Sequence, residues 1–157
     1  MRESINRWNQ KWIDELGPDF GELYDYEVTP VIWEKFDELG FGFTQSAHPC
    51  TIWEDGNPKV ATVIDIILQS DNIVMAVEVR TEPDQADVDD HILRMEVLRR
   101  STDDRQWDRR KLQGAIAGVI IDDSVRDYAL KTGFYVIEQS GDTVQIRIPE
   151  GFKAREW

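Results

Sequence analysis

The chain has 157 residues, 41% of them hydrophobic, with six prolines and a formal net charge of −13 from 31 acids against 18 bases. That composition suits one domain with a sizeable core and excludes a disordered chain, and no run approaches the ~20 apolar residues that span a bilayer. One cysteine, Cys50, excludes an internal disulfide and, with no signal-like opening, points to the cytoplasm, while the acidic balance argues against binding nucleic acid through overall charge.

From the start, Ile5, Trp8, Trp12 and Leu16 recur at three, four and four, which makes Met1 to Leu16 an amphipathic helix. Two tryptophans on so short a helix need cover, either from the domain that follows or from a second copy. Gly17-Pro18 breaks the helix and opens the main domain, residues 17–157. A second helical stretch carries Tyr24 and Val28. Thr29-Pro30 then reads as the start of a further helix, with Ile32, Phe36 and Leu39 on its buried side and Gly40 ending it. Phe41 to Thr44 and Cys50 to Trp53 read as edge strands, His48 as loop, and Asp55-Gly56-Asn57-Pro58 as a turn.

Val63 to Leu68 and Ile73 to Val79 are β-branched and aliphatic and read as two strands of a hairpin. A two-residue loop at Asp71-Asn72 sets a register that stands Asp65 opposite Glu78, with Cβ atoms about 5 Å apart. Alternation puts Arg80 on the same face as Glu78, and Val77 and Val79 on the other. Two facing carboxylates within apolar strands repel one another and are costly to desolvate. Either a divalent cation bridges them, and an oxygen-only site suits Mg²⁺, or Arg80 pairs with them.

Thr81-Glu82-Pro83 closes the strand and Asp84 begins a helix, whose Val88, Ile92, Met95 and Leu98 form a packing face. Asp89, Asp90 and His91 fall on or beside its polar side. From Arg94 to Lys111 seven bases stand against four acids, an arrangement that can track a phosphate backbone with Trp107 available to stack, or simply form a solvated helix end. Gln113 to Ile121 reads as a strand covered on both faces, with Gly114 and Gly118 marking close packing. Asp122 or Asp123 caps a helix with Val125, Tyr128 and Ala129 inward, and Gly133 stops it. Phe134 to Gln139 and Thr143 to Ile148 form a last hairpin over Ser140-Gly141-Asp142. The order predicts an α/β fold with a mixed sheet between helices. No nucleophilic triad, zinc spacing or dinucleotide fingerprint appears, so no small organic cofactor is expected.

Ile64-Asp65, a hairpin, then Glu78-Val79-Arg80 resembles the core motif of the PD-(D/E)XK nuclease superfamily, an Asp followed at a distance by an acid, any residue and a lysine. Ala76 to Thr81, Asp87 to His91, Gly114 to Gly118 and Phe134 to Asp142 further resemble a bacterial family of small uncharacterised proteins in that superfamily, often preceded by a coiled coil; the likeness covers roughly Gly21 to Trp157. The resemblance implies a restriction-endonuclease-like fold and a Mg²⁺- or Mn²⁺-dependent nuclease acting on DNA. It implies catalytic roles for Asp65, Glu78 and Arg80, and a metal held by Asp65, Glu78 and the Val79 carbonyl. Glu22, with Asp25 as second choice, is the further acid it places on the first helix. A coiled coil in front implies a homodimer. Arg80 stands where the family has lysine, and Val63 where it has an acid. Arginine can stabilise negative charge but cannot serve as a base, so the resemblance also admits a catalytically impaired nuclease fold acting as a dimeric binding module.

Overall fold

The computed structural model describes residues 20–54, 59–141 and 143–157, with side chains of the first helix described from Val28 onward. The amphipathic segment Met1 to Leu16 lies outside the described residues. One helix, α1 (Phe20–Glu38), leads through β1 (Gln45–Ala47), β2 (Cys50–Trp53), β3 (Val60–Ile64), β4 (Ile66–Gln69) and β5 (Ile73–Arg80) to helix α2 (Gln85–Asp104). Then come β6 (Lys111–Gly118), helix α3 (Asp123–Thr132), β7 (Tyr135–Ser140) and β8 (Thr143–Arg147).

Six strands form one mixed sheet in the order β1-β4-β5-β6-β7-β8, while β2 and β3 pair as a separate ribbon. The β5–β6 and β6–β7 pairs are parallel and their neighbours antiparallel. This is the α/β architecture, a mixed sheet between helices, that the element order predicts. Strand β5 lies near the middle and is buried on both faces, which is why it reads as an unbroken apolar run. Met75, Val77 and Val79 pack with Val28, Ile32 and Phe36 of α1. Val74 and Ala76 pack with Val88, Met95 and Leu98 of α2 on the other side.

Several expectations are corrected. The chain does not restart a helix at Thr29-Pro30; Pro30 lies inside a single α1. Proline forfeits one helical hydrogen bond, but Val28, Ile32 and Phe36 recur every four residues and bury completely or nearly so, and that continuous contact outweighs the loss. Leu39 is exposed beyond the helix end, where Gly40 turns the chain with φ +95°. The first edge strand is at Gln45–Ala47, not Phe41 to Thr44, because Phe41 and Phe43 stack on each other and edge onto Phe36 instead of entering the sheet. Ser140 belongs to β7, paired with Thr143, so the last turn is shorter than expected. Gly114 and Gly118 are points of close approach: a Cβ on Gly114 would sit 2.6 Å from the Phe134 ring, and one on Gly118 2.7 Å from Pro83.

Candidate cation and active site

The β4–β5 hairpin has the register expected from the sequence, with Ile66 opposite Val77 and Gln69 opposite Val74, around the turn at Asp71-Asn72. The expected strand Val63 to Leu68 is, however, broken at Asp65. There the chain leaves β5 and turns to pair β3 with β2. The break leaves the main chain of Val79 without a strand partner on that side. Asp65 Oδ2 accepts the Val79 N–H at 2.8 Å, doing with a side chain what a longer β4 would have done with its backbone.

Arg80 completes the arrangement. Its guanidinium lies 3.3 Å from Asp65 Oδ2 and 2.6 Å from Glu78 Oε1, and donates to the Val79 carbonyl at 2.9 Å. Asp65, Glu78 and the Val79 oxygen thus converge on one cationic group. On its far side Arg80 comes within 3.6 Å of Asp87, which is fixed by a reciprocal capping box with Asp84 at the start of α2. Asp87 also supplies charge at the helix N-terminus.

Glu78 is 1% exposed, and a second guanidinium, that of Arg94 on α2, approaches its other oxygen at 3.0 Å. Both contacts are ion pairs, but Glu78 Oε1 and Arg94 Nη2 lack an aligned hydrogen bond in this burial. Burial, with the Asp65 carboxylate beside it, pushes the Glu78 carboxyl up to about 8 against the two arginines. Three carboxylates share two guanidiniums here, so full ionisation leaves one negative charge uncompensated. A proton on Glu78 or a second cation removes it.

Behind Arg94 stands His91, which the sequence reading placed beside the polar side of α2 and which is fully buried. The correction is one of helical phase: Val88, His91, Met95 and Leu98 recur at three, four and three, a tighter stripe than one drawn through Ile92. His91 Nε2 lies 3.0 Å from the Ala76 carbonyl, and Arg94 Nε lies 3.2 Å from His91 Nδ1. A carbonyl only accepts and a guanidinium only donates, so Nε2 carries the proton and Nδ1 is the acceptor. Burial and the Arg94 charge hold the imidazole down, at about 3. A neutral ring therefore orients Arg94 towards Glu78. The sequence places Arg94 in a basic run and Asp87 in a matched segment but assigns neither to this site; the signal that joins them is the 87, 91, 94 spacing, which puts them on one side of α2.

The donor set fits a hard cation by chemistry: two carboxylates and a carbonyl converge, with the Arg80 guanidinium standing where such an ion would be. Among the described residues no group of three His, Cys, Asp or Glu side chains is placed to hold a metal, so the third donor would have to be the Val79 carbonyl or lie elsewhere. Glu22 is in α1, and its side chain lies outside the described residues.

The fold and site together define an α/β protein with a carboxylate–arginine centre beside the C-terminal end of β5. No protein-family model matches the chain, and no curated protein matches it in sequence. Among solved structures it is similar to the small subunit of the heterodimeric restriction endonuclease R.BspD6I, at 14% identity and a TM-score of 0.44, over 90% of this chain and 73% of that one. Among the described residues no helix is long and apolar enough to cross a membrane.

Proposed function

We propose that the chain is a nuclease-like protein whose centre takes Mg²⁺ or Mn²⁺ and hydrolyses DNA phosphodiesters. The observation that carries this reading is the convergence of Asp65, Glu78 and the Val79 carbonyl on a single cation position, together with the motif resemblance. When bound, the ion would supply charge for a phosphate oxygen and acidify a water. Asp65 and Glu78 would hold it as carboxylates, which requires Glu78 to be ionised. Glu22 is the further acid proposed from α1. Arg80 leaves the position: its side chain is 45% exposed, and swung outward its fixed charge faces a phosphate without acting as a base.

A second reading is favoured by the placement of Arg80. Its guanidinium already meets all three donors, so it serves as a built-in cation, and the fold is then a catalytically impaired nuclease used as a dimeric binding module, with the amphipathic Met1 to Leu16 as the dimer contact. Incubation of plasmid and branched DNA with Mg²⁺ or Mn²⁺ separates the two. Metal-dependent nicking by the natural chain that disappears in Asp65→Ala supports the nuclease. Nicking only after Arg80→Lys supports the impaired fold. Absence of nicking in both overturns the nuclease reading.

A further inference from the structure

The other end of β5 carries a second feature, separated from the carboxylate centre by the length of the strand, roughly 20 Å. Here the loop from α2 to β6 meets the tip of the β4–β5 hairpin. Its anchor is Asp108, whose side chain is fully buried. Asp108 accepts from Arg110 Nε and Nη2, both at 2.9 Å, and pairs with Arg105 Nη2 at 3.3 Å. Arg110 in turn donates to Gln69 Oε1 at 2.9 Å on the hairpin. The loop is thereby braced by partly buried charge-assisted bonds that converge on the buried Asp108 carboxylate.

What this brace holds outward is unusual. Trp107 is 76% exposed. Arg109, placed between the two braced residues, makes no hydrogen bond or ion pair among the described residues, although the chain as a whole has far more acids than bases. Both line a groove of about 1010 Å³, whose other wall includes Gln69, Ser70 and Asn72 of the hairpin. Of its two carboxylates, Asp108 is already neutralised by arginines, which leaves Asp71 on the turn.

An exposed indole and a guanidinium with no partner among the described residues line one groove, with amide and hydroxyl groups of Gln45, Gln69, Asn72, Thr44 and Ser70 among its other lining, and that combination suits a ligand that joins a planar ring to a phosphate. We propose that this groove binds unpaired nucleotides, the base stacking on Trp107 and the phosphate meeting Arg109. A single strand and a free nucleotide share that chemistry; a duplex keeps its base faces covered and fits poorly. The proposal is independent of metal and of cleavage, so it stands or falls apart from the nuclease reading.

The experiment is fluorescence anisotropy of a labelled oligothymidylate of about ten nucleotides, in chelator, with the natural chain, Trp107→Ala and Arg109→Ala. Melting curves of both variants are expected to match the natural chain, since both side chains are exposed. Trp107→Ala is expected to weaken binding about fivefold or more, the loss of one stacked base. Arg109→Ala is expected to weaken it and to flatten the dependence of log K on log salt by about 0.7, one phosphate contact on a single strand. Competition by unlabelled oligothymidylate but not by adenosine monophosphate assigns the ligand to a strand, and competition by both to a nucleotide. No binding by the natural chain to either, or binding that neither variant changes, overturns the proposal.

Discussion

Replacing Glu78 by glutamine should stabilise the protein, and the gain should depend on pH. In the folded chain the Glu78 carboxyl is raised from an ordinary 4.5 to about 8 by burial and by Asp65, so folding favours its protonated form. A raised carboxyl contributes its full stability below the unfolded value, near pH 4.5, and loses it as pH climbs to about 8. Each pH unit in that window costs about 1.4 kcal/mol, so the natural chain should lose roughly 3 kcal/mol by pH 7 and at most roughly 5 by pH 8. Glutamine mimics the protonated acid in shape and charge and escapes this loss. Urea unfolding of both chains across the window measures it. With a slope near 2 kcal/mol per molar, the variant's midpoint should lie about 1.5 M higher at pH 7 and should meet the natural one near pH 4.5. A gap that stays flat across the window, or a variant less stable at pH 8, would instead mean that Arg80 and Arg94 keep Glu78 ionised throughout.

His91 shifts the opposite way. Its imidazole, held down at about 3, contributes stability that is present above its ordinary 6.5 and lost as pH falls towards 3. Nitrogen NMR should therefore show a neutral ring with the proton on Nε2 down to about pH 4; a titration near 6.5 or a proton on Nδ1 would contradict the relay to Arg94. Asp108→Asn should cost about 2–3 kcal/mol by weakening the bonds from Arg105 and Arg110. Arg110 holds the Asp108 carboxyl down to about 2, so that cost should be complete above about 3.8 and shrink towards pH 2 in acid unfolding curves, and a constant cost would count against it. Gly114→Ala should destabilise by about 1–3 kcal/mol in thermal unfolding, because its Cβ would meet the buried Phe134 ring at 2.6 Å; an unchanged melting temperature would mean that the ring gives way freely.

The hairpin register was legible because two apolar strands and a two-residue turn leave one alignment that buries both faces of β5. The sharing of one face by Glu78 and Arg80 followed from alternation alone. The break at Asp65 was not legible. Apart from Asp65 itself, the run from Val63 to Leu68 is β-branched and aliphatic throughout, and one poor strand former does not show that β3 departs there to pair with β2. The interruption matters, since it frees the Val79 carbonyl that joins the two acids around Arg80. A polar ring among acids suggests a wet face for His91, whereas its neighbours three and four residues away, Val88 and Met95, are apolar and buried. Local preference makes Pro30 a helix start, and tertiary burial of Val28, Ile32 and Phe36 overrides it.

Asp65, Glu78 and the Val79 carbonyl converge on one position, which the Arg80 guanidinium fills and which we propose a divalent cation can take. Calorimetric titration of Mn²⁺ into the natural chain, Arg80→Ala and Arg80→Ala combined with Asp65→Ala tests it directly, at a pH above about 8 so that Glu78 is ionised in the natural chain. Displacing a half-exposed guanidinium from two carboxylates costs about 1–2 kcal/mol, so Arg80→Ala should bind Mn²⁺ roughly five- to thirtyfold more tightly than the natural chain. The combined variant should lose that binding. Equal affinity in all three chains, or none in Arg80→Ala, would contradict a shared cation position.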